Sequence, residues 1–129
     1  MYCLDTSVIV NFLRGDNFII GKVKELVEVG DIYITPITLC ELFKGVYLSS
    51  KSEKELEILE GFILSVLLLD FDKESCKEFG KEYVILKKIG KVTNEFDLII
   101  ACVAKKNNLI LVTQDKKHFK DMNVKVEVW

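Results

Sequence analysis

Short apolar runs separated by amphipathic stretches recur along the whole chain, and this alternation restricts the fold more than any single residue does. YCL, IYIT, VLLLDF and LILVT read as strands, and VKVEVW closes the chain as an alternating, edge-type strand. Between them, apolar residues return every three or four positions. Val8, Ile9, Phe12 and Leu13 form one stripe before Gly15; Ile19, Ile20, Val23, Leu26 and Val27 form another before Gly30. Pro36 suits a first helical turn with Thr35 as its cap, and the helix continues through Ile37, Cys40, Glu41, Lys44 and Tyr47. Ser52 and Glu55 fit a capping box ahead of Leu56, Leu59, Phe62 and Ile63. Asp72 is placed to cap a helix with the stripe Cys76, Phe79, Gly80, Tyr83 and Val84. Thr93 or Asn94 opens a later helix whose LIIACVA segment is apolar enough to require cover on nearly every side. Strands alternating with helices predict right-handed crossovers and a mostly parallel central sheet with helices on both faces, a three-layer α/β/α fold.

The length, 129 residues, fits a single domain spanning 1–129, and with half its residues hydrophobic the chain has ample material for a core. No apolar run approaches the ~18 residues of a membrane span, and the N-terminus lacks the pattern of a secretory signal. A cytoplasmic protein is expected. Cys3, Cys40, Cys76 and Cys102 are widely spaced beside apolar segments, with no C-x-x-C pair and one histidine, His118, so free core thiols are expected. The net charge of −2 argues against simple electrostatic coating of nucleic acid. Lysines nevertheless gather locally, at Lys87, Lys88 and Lys91 and again at Lys105, Lys106, Lys116, Lys117 and Lys120.

In such a fold the functional crevice lies beyond the carboxyl ends of the strands, near the switch in strand order. Asp5 follows the first strand, Glu41 lies in the helix after the second, Asp97 opens a later helix and Asp115 follows the fourth strand, so connectivity sends all four to one edge. Each also has a structural explanation: Asp5 as a helix cap, Asp97 as a helix-dipole partner, Asp115 as a turn residue, Glu41 as the far member of a box with Thr38. Pro36 as first helical residue places Glu41 a turn and a half into its helix, too deep to cap. Two carboxylates ~4 Å apart repel by about 4 kcal/mol at an effective dielectric near 20, so four together need a cation. Oxygen donors without clustered His or Cys select Mg2+ or Mn2+, and a magnesium site with a few carboxylates points to phosphodiester or phosphoryl chemistry. His118 reads as a surface or packing residue.

The segments LDTSVIVNFLRG with Asp5, TPITLCELFKG with Glu41, FDLIIA with Asp97 and LVTQDKKHF with Asp115 resemble, in order and spacing, the PIN domain of VapC-type toxin ribonucleases, from Tyr2 to the terminal VEVW. The resemblance implies a PIN-like fold and a Mg2+- or Mn2+-dependent endoribonuclease acting on RNA. It also implies a homodimer held inactive by a cognate antitoxin protein that covers the acidic pocket. It assigns Asp5, Glu41, Asp97 and Asp115 as metal ligands and catalytic acids, with Thr6 and Thr113 as supports. Many relatives carry Asn where Asp115 stands, and Glu95 and Arg14 read as a first-turn residue and a solvated helix end. Two other readings compete. A receiver-like signalling domain would use Asp70 or Asp72 as phosphoacceptor and Lys116 as its lysine, but it usually has paired acids after the first strand, where Asp5 stands alone. A catalytically inactive PIN-like RNA-binding module would be marked by lost acids, and all four are present.

Overall fold

The computed structural model describes residues 1–91 and 94–129. Its elements, in chain order, are β1 (Tyr2–Leu4), α1 (Thr6–Leu13), α2 (Asn17–Glu28), β2 (Ile32–Ile34), α3 (Pro36–Leu48), α4 (Ser52–Ile63), β3 (Leu67–Leu68), α5 (Lys73–Lys88), α6 (Glu95–Lys106), β4 (Ile110–Thr113), a 3-10 turn (Lys116–His118) and β5 (Val126–Val128). The strands form one sheet in the order β3-β2-β1-β4-β5, and every pairing is parallel. The chain moves outward from β1 to β3 and then lays β4 on the other side of β1. The switch in strand order therefore falls between β1 and β4.

The two-residue period of a strand divides the core between the faces of the sheet. Leu4, Ile34 and Val112 pack with Val8, Ile19, Leu42 and Leu59 beneath α1 to α4. Cys3 and Leu111 pack on the opposite face with Leu86 of α5 and Leu98 and Cys102 of α6. Six residues of α6, from Leu98 to Ala104, are buried, as LIIACVA requires. Among the described residues no helix is long and apolar enough to cross a membrane.

Polar side chains start most of the helices, those of α3, α5 and α6 as the sequence predicts. Asp16 accepts from the N–H groups of Phe18 and Ile19, Thr35 from Thr38, Asp72 from Ser75, and Asn94 from Phe96 and Asp97. Thr93, the alternative start of α6, lies outside the described residues. The capping box of α4 is not formed. Ser52 is already helical, Lys51 holds the cap position without a side-chain bond, and Glu53 and Glu55 sit in the first turn, where the helix dipole favours acids.

The expected stripe of α5 is rotated. Ser75, Glu82 and Leu86 are buried, Phe79 and Tyr83 are half-buried, and Cys76, Gly80 and Val84 face outward. The four cysteines are free, but only Cys3 and Cys102 are core thiols; Cys40 and Cys76 are exposed on their helices. Burial pushes the Cys3 and Cys102 thiols up to about 12, which leaves them inert.

The rotation of α5 has an electrostatic cause. Lys105 of α6 donates to Glu78 at 2.6 Å and to Glu82 at 2.7 Å, so Glu82 turns inward with its charge matched. Lys106 pairs with Asp72 at the N-terminal cap of α5, and the two helices run antiparallel as a clamped pair. This clamp fixes α6, the helix that carries Asp97. Lys105→Met leaves Glu82 buried without its cation and is expected to cost about 1–2 kcal/mol, below the full penalty for a broken buried pair because Lys105 is partly solvated. Thermal melts should show a loss of roughly 3–6 °C, mostly recovered in Lys105→Met/Glu82→Leu. A single variant as stable as the wild type would contradict the clamp.

Candidate metal-binding carboxylate site

At the switch point β1 ends and Asp5 leads into α1. Its backbone N–H continues the parallel ladder by donating to the Val112 carbonyl at 2.8 Å, and the residue is 6% exposed. Asp5 occupies the cap position of α1, yet its carboxylate makes no capping bond. The hydroxyls of Ser7 and Thr113 both donate to its Oδ2, at 2.8 and 2.9 Å. Its Oδ1 has no hydrogen-bond partner among the described residues, and since no fully buried side-chain oxygen there lacks one, Oδ1 is not fully enclosed. Thr113 Oγ1 in turn accepts from the Asp115 N–H and Ser7 Oγ from the Gln114 N–H, both at 3.1 Å. The exit of β4 is thereby tied to the carboxylate at the end of β1.

Thr113 was expected near the site; Ser7 was not. Its signal was a hydroxyl two residues after a helix-opening aspartate, the spacing at which a Ser side chain reaches back to its neighbours. Glu41 lies on α3 between Cys40 and Leu42. Because Thr35 is the cap and Pro36 the first helical residue, Thr38 cannot form the competing box, and Glu41 Oε2 accepts from Thr6 Oγ1 at 2.5 Å.

Asp97 sits in the first turn of α6. Its carboxylate lies 3.4 Å from His118 Nδ1, and Asp115 Oδ2 lies 3.6 Å from His118 Nε2. Asp115 also fulfils its structural role, its Oδ1 accepting from the Lys117 N–H at the start of the 3-10 turn. His118 is an exposed residue, as expected, but it stands between two of the acids. The Asp115–His118 spacing of one short turn was the available clue.

The acids share one field. Burial pushes the Asp97 carboxyl up to about 6, and the neighbouring charges of Asp5, Glu41 and Asp115 add to the rise while His118 opposes it. Among the described residues no Lys or Arg pairs with any of the four. The donors are oxygens apart from His118, a set suited to a hard divalent cation. The side chains are not gathered into a ready-made ligand sphere: among the described residues no three His, Cys, Asp or Glu groups surround one ion-sized point. Each is held by its own partner. The receiver-like alternative finds no support in this geometry, because β3 is an edge strand, Asp70 is exposed, and Asp72 is engaged by Ser75 and Lys106.

The raised Asp97 carboxyl has a defined consequence for stability. The native state holds this proton more tightly than the unfolded chain, where Asp titrates near ~3.9, so the contribution of protonated Asp97 is full below about pH 4 and is lost as pH rises through about 6. In chelator-treated buffer, Asp97→Asn should match the wild type near pH 4. By neutral pH it should melt higher, by about 1–2 kcal/mol after discounting for solvent at the open side, or ~3–6 °C. A difference that does not change with pH, or a less stable variant, would show that Asp97 serves its own helix instead.

Comparison with known proteins agrees with the fold. A family model described as PIN domain matches residues 2–125. Ribonuclease VapC2 of Haemophilus influenzae is 28% identical over 120 residues, covering 92% of this chain and 89% of that protein. The tRNA(fMet)-specific endonuclease VapC of Shigella flexneri is 27% identical over 129 residues, covering 99% and 97%. Among solved structures, VapBC2 from Rickettsia felis bound to a DNA fragment from their promoter superposes with a TM-score of 0.92 at 29% identity, over 99% of this chain and 98% of that one. With all but the last few residues matched, on a parallel sheet whose strand order switches at Asp5, the chain belongs to the PIN domain family.

Proposed function

We propose that the chain, acting as a single domain over residues 1–129, is a metal-dependent endoribonuclease and the toxin of a VapBC-type toxin-antitoxin pair. One observation carries this reading: a buried aspartate, Asp5, stands at a helix cap without capping and shares its field with Asp97, Glu41 and Asp115. The relatives named as ribonucleases, and the VapBC complexes among the similar structures, support it.

In this reading Asp5, Glu41, Asp97 and Asp115 hold Mg2+ or Mn2+. When bound, such an ion supplies an acidified water and neutralises charge on a phosphodiester during in-line displacement. The residues of the chain do the positioning. Ser7 and Thr113 occupy Oδ2 of Asp5 and leave Oδ1 for the ion, and Thr6 holds the Glu41 rotamer. The clamp between α5 and α6 sets the depth of Asp97.

The cognate antitoxin has a surface to cover. Leu13, Leu42, Val46 and Ile58 line an open groove of about 320 Å3 that reaches Glu41 and Arg14. The exposed side chains of Leu64, Leu67 and Leu68 around β3 offer apolar surface for a homodimer. A cytoplasmic location agrees with this reading.

Total RNA incubated with Mg2+ or Mn2+ tests it. The wild type should cleave, chelation should stop cleavage, and Asp5→Asn and Asp97→Asn should each lose about 100-fold or more, the loss expected when a charge-stabilising ion is displaced. Equal cleavage by all three proteins, or cleavage undiminished by chelator, would overturn the assignment.

A further inference from the structure

Of the two lysine groupings visible in the sequence, part of each converges in space. Lys91 follows α5 and its Gly90 turn, whereas Lys117 and Lys120 lie in and just after the 3-10 turn beyond β4. The fold sets these segments beside each other along one open cavity of about 490 Å3, whose wall also includes Asp97 and His118. The cavity is therefore continuous with the carboxylate site. Lys91 lies 3.6 Å from Asp121, an exposed pair of small energetic weight. Among the described residues Lys117 and Lys120 form no ion pair. A chain of net charge −2 thus sets three lysines along the cavity whose wall includes Asp97.

We infer that the cavity lined by Lys91, Lys117 and Lys120 is a phosphate-binding subsite that receives the RNA backbone next to the scissile bond. The inference rests on the nuclease reading for its choice of ligand. A polyanionic substrate approaching four carboxylates meets repulsion that a cationic approach offsets, and this cavity, lined by three lysines, includes Asp97 in its wall. Three lysines without an aromatic platform bind phosphates as point charges and read no base. The subsite positions the strand and raises its local concentration, and sequence choice lies elsewhere.

Binding of a fluorescent single-stranded oligoribonucleotide is measured by anisotropy in chelator across a salt series, and cleavage of the same RNA is measured with Mg2+ or Mn2+. Contacts to single-stranded RNA phosphates contribute about 0.7 each to the slope of log affinity against log salt. Lys91→Gln/Lys117→Gln/Lys120→Gln should flatten that slope by about 2, weaken binding roughly 10-fold, and raise KM with kcat little changed. Lys24→Gln/Lys54→Gln, at exposed positions on α2 and α4, should leave both unchanged. Wild-type slope and KM in the triple variant, with cleavage intact, would overturn the subsite while leaving the nuclease standing. Absence of cleavage by the wild type would count against the nuclease, and the binding arm would still decide the subsite. A triple variant that binds RNA normally but loses binding of poly-glutamate would assign this face to an acidic protein partner and overturn the proposal.

Discussion

A single buried carboxylate organises this molecule. Asp5 ends the central strand where the order of the sheet switches, and taking a charged group out of water there is costly unless hydrogen bonds and a counter-charge compensate it. Two hydroxyls from different parts of the chain, Ser7 and Thr113, supply hydrogen bonds to one oxygen. The same hydroxyls accept the N–H groups of Gln114 and Asp115, so the network also ties down the exit of β4. What the fold does not supply, among the described residues, is a lysine or arginine paired with Asp5. The other oxygen of Asp5 has no hydrogen-bond partner among the described residues, and Asp5, Glu41 and Asp115 all act on Asp97 with the same sign of charge.

That arrangement sets stability against function. A cluster of acids with a raised carboxyl at Asp97 weakens the native state at neutral pH, and the surrounding structure absorbs the cost. It does so through two well-packed cores on either face of the sheet and through the Glu78–Lys105–Glu82 clamp that fixes α6. The cations of the chain are not placed to neutralise the acids. Lys91, Lys117 and Lys120 lie one step outward, along the cavity whose wall includes Asp97.

Much of this was legible in the sequence because local chemistry and global fold agree. The alternation of strand and helix signals predicted a parallel sheet. Thr35 with Pro36, Asp72 and Asn94 each start a helix where capping chemistry places them. The placement of Glu41 beyond the reach of a capping box followed from Pro36 alone. Two of the misses share a cause, in that each depends on a neighbour distant in sequence. Glu82 turns inward only because Lys105 meets it, which rotates α5 and exposes Cys76. His118 is a surface residue by composition and joins two acids only through the path of the turn after β4. Ser52 fits a box pattern, yet the helix begins one residue too early for its side chain to cap.

The central claim is that acids from four separated segments act as one cation site. It is tested most directly by titrating the protein with Mn2+ and following the free-ion signal by electron paramagnetic resonance. The account predicts uptake that Glu41→Gln weakens about 10-fold or more, and that Asp5→Asn weakens further because it removes the innermost charge. Uptake that is absent, or indifferent to the loss of either carboxylate, would contradict it.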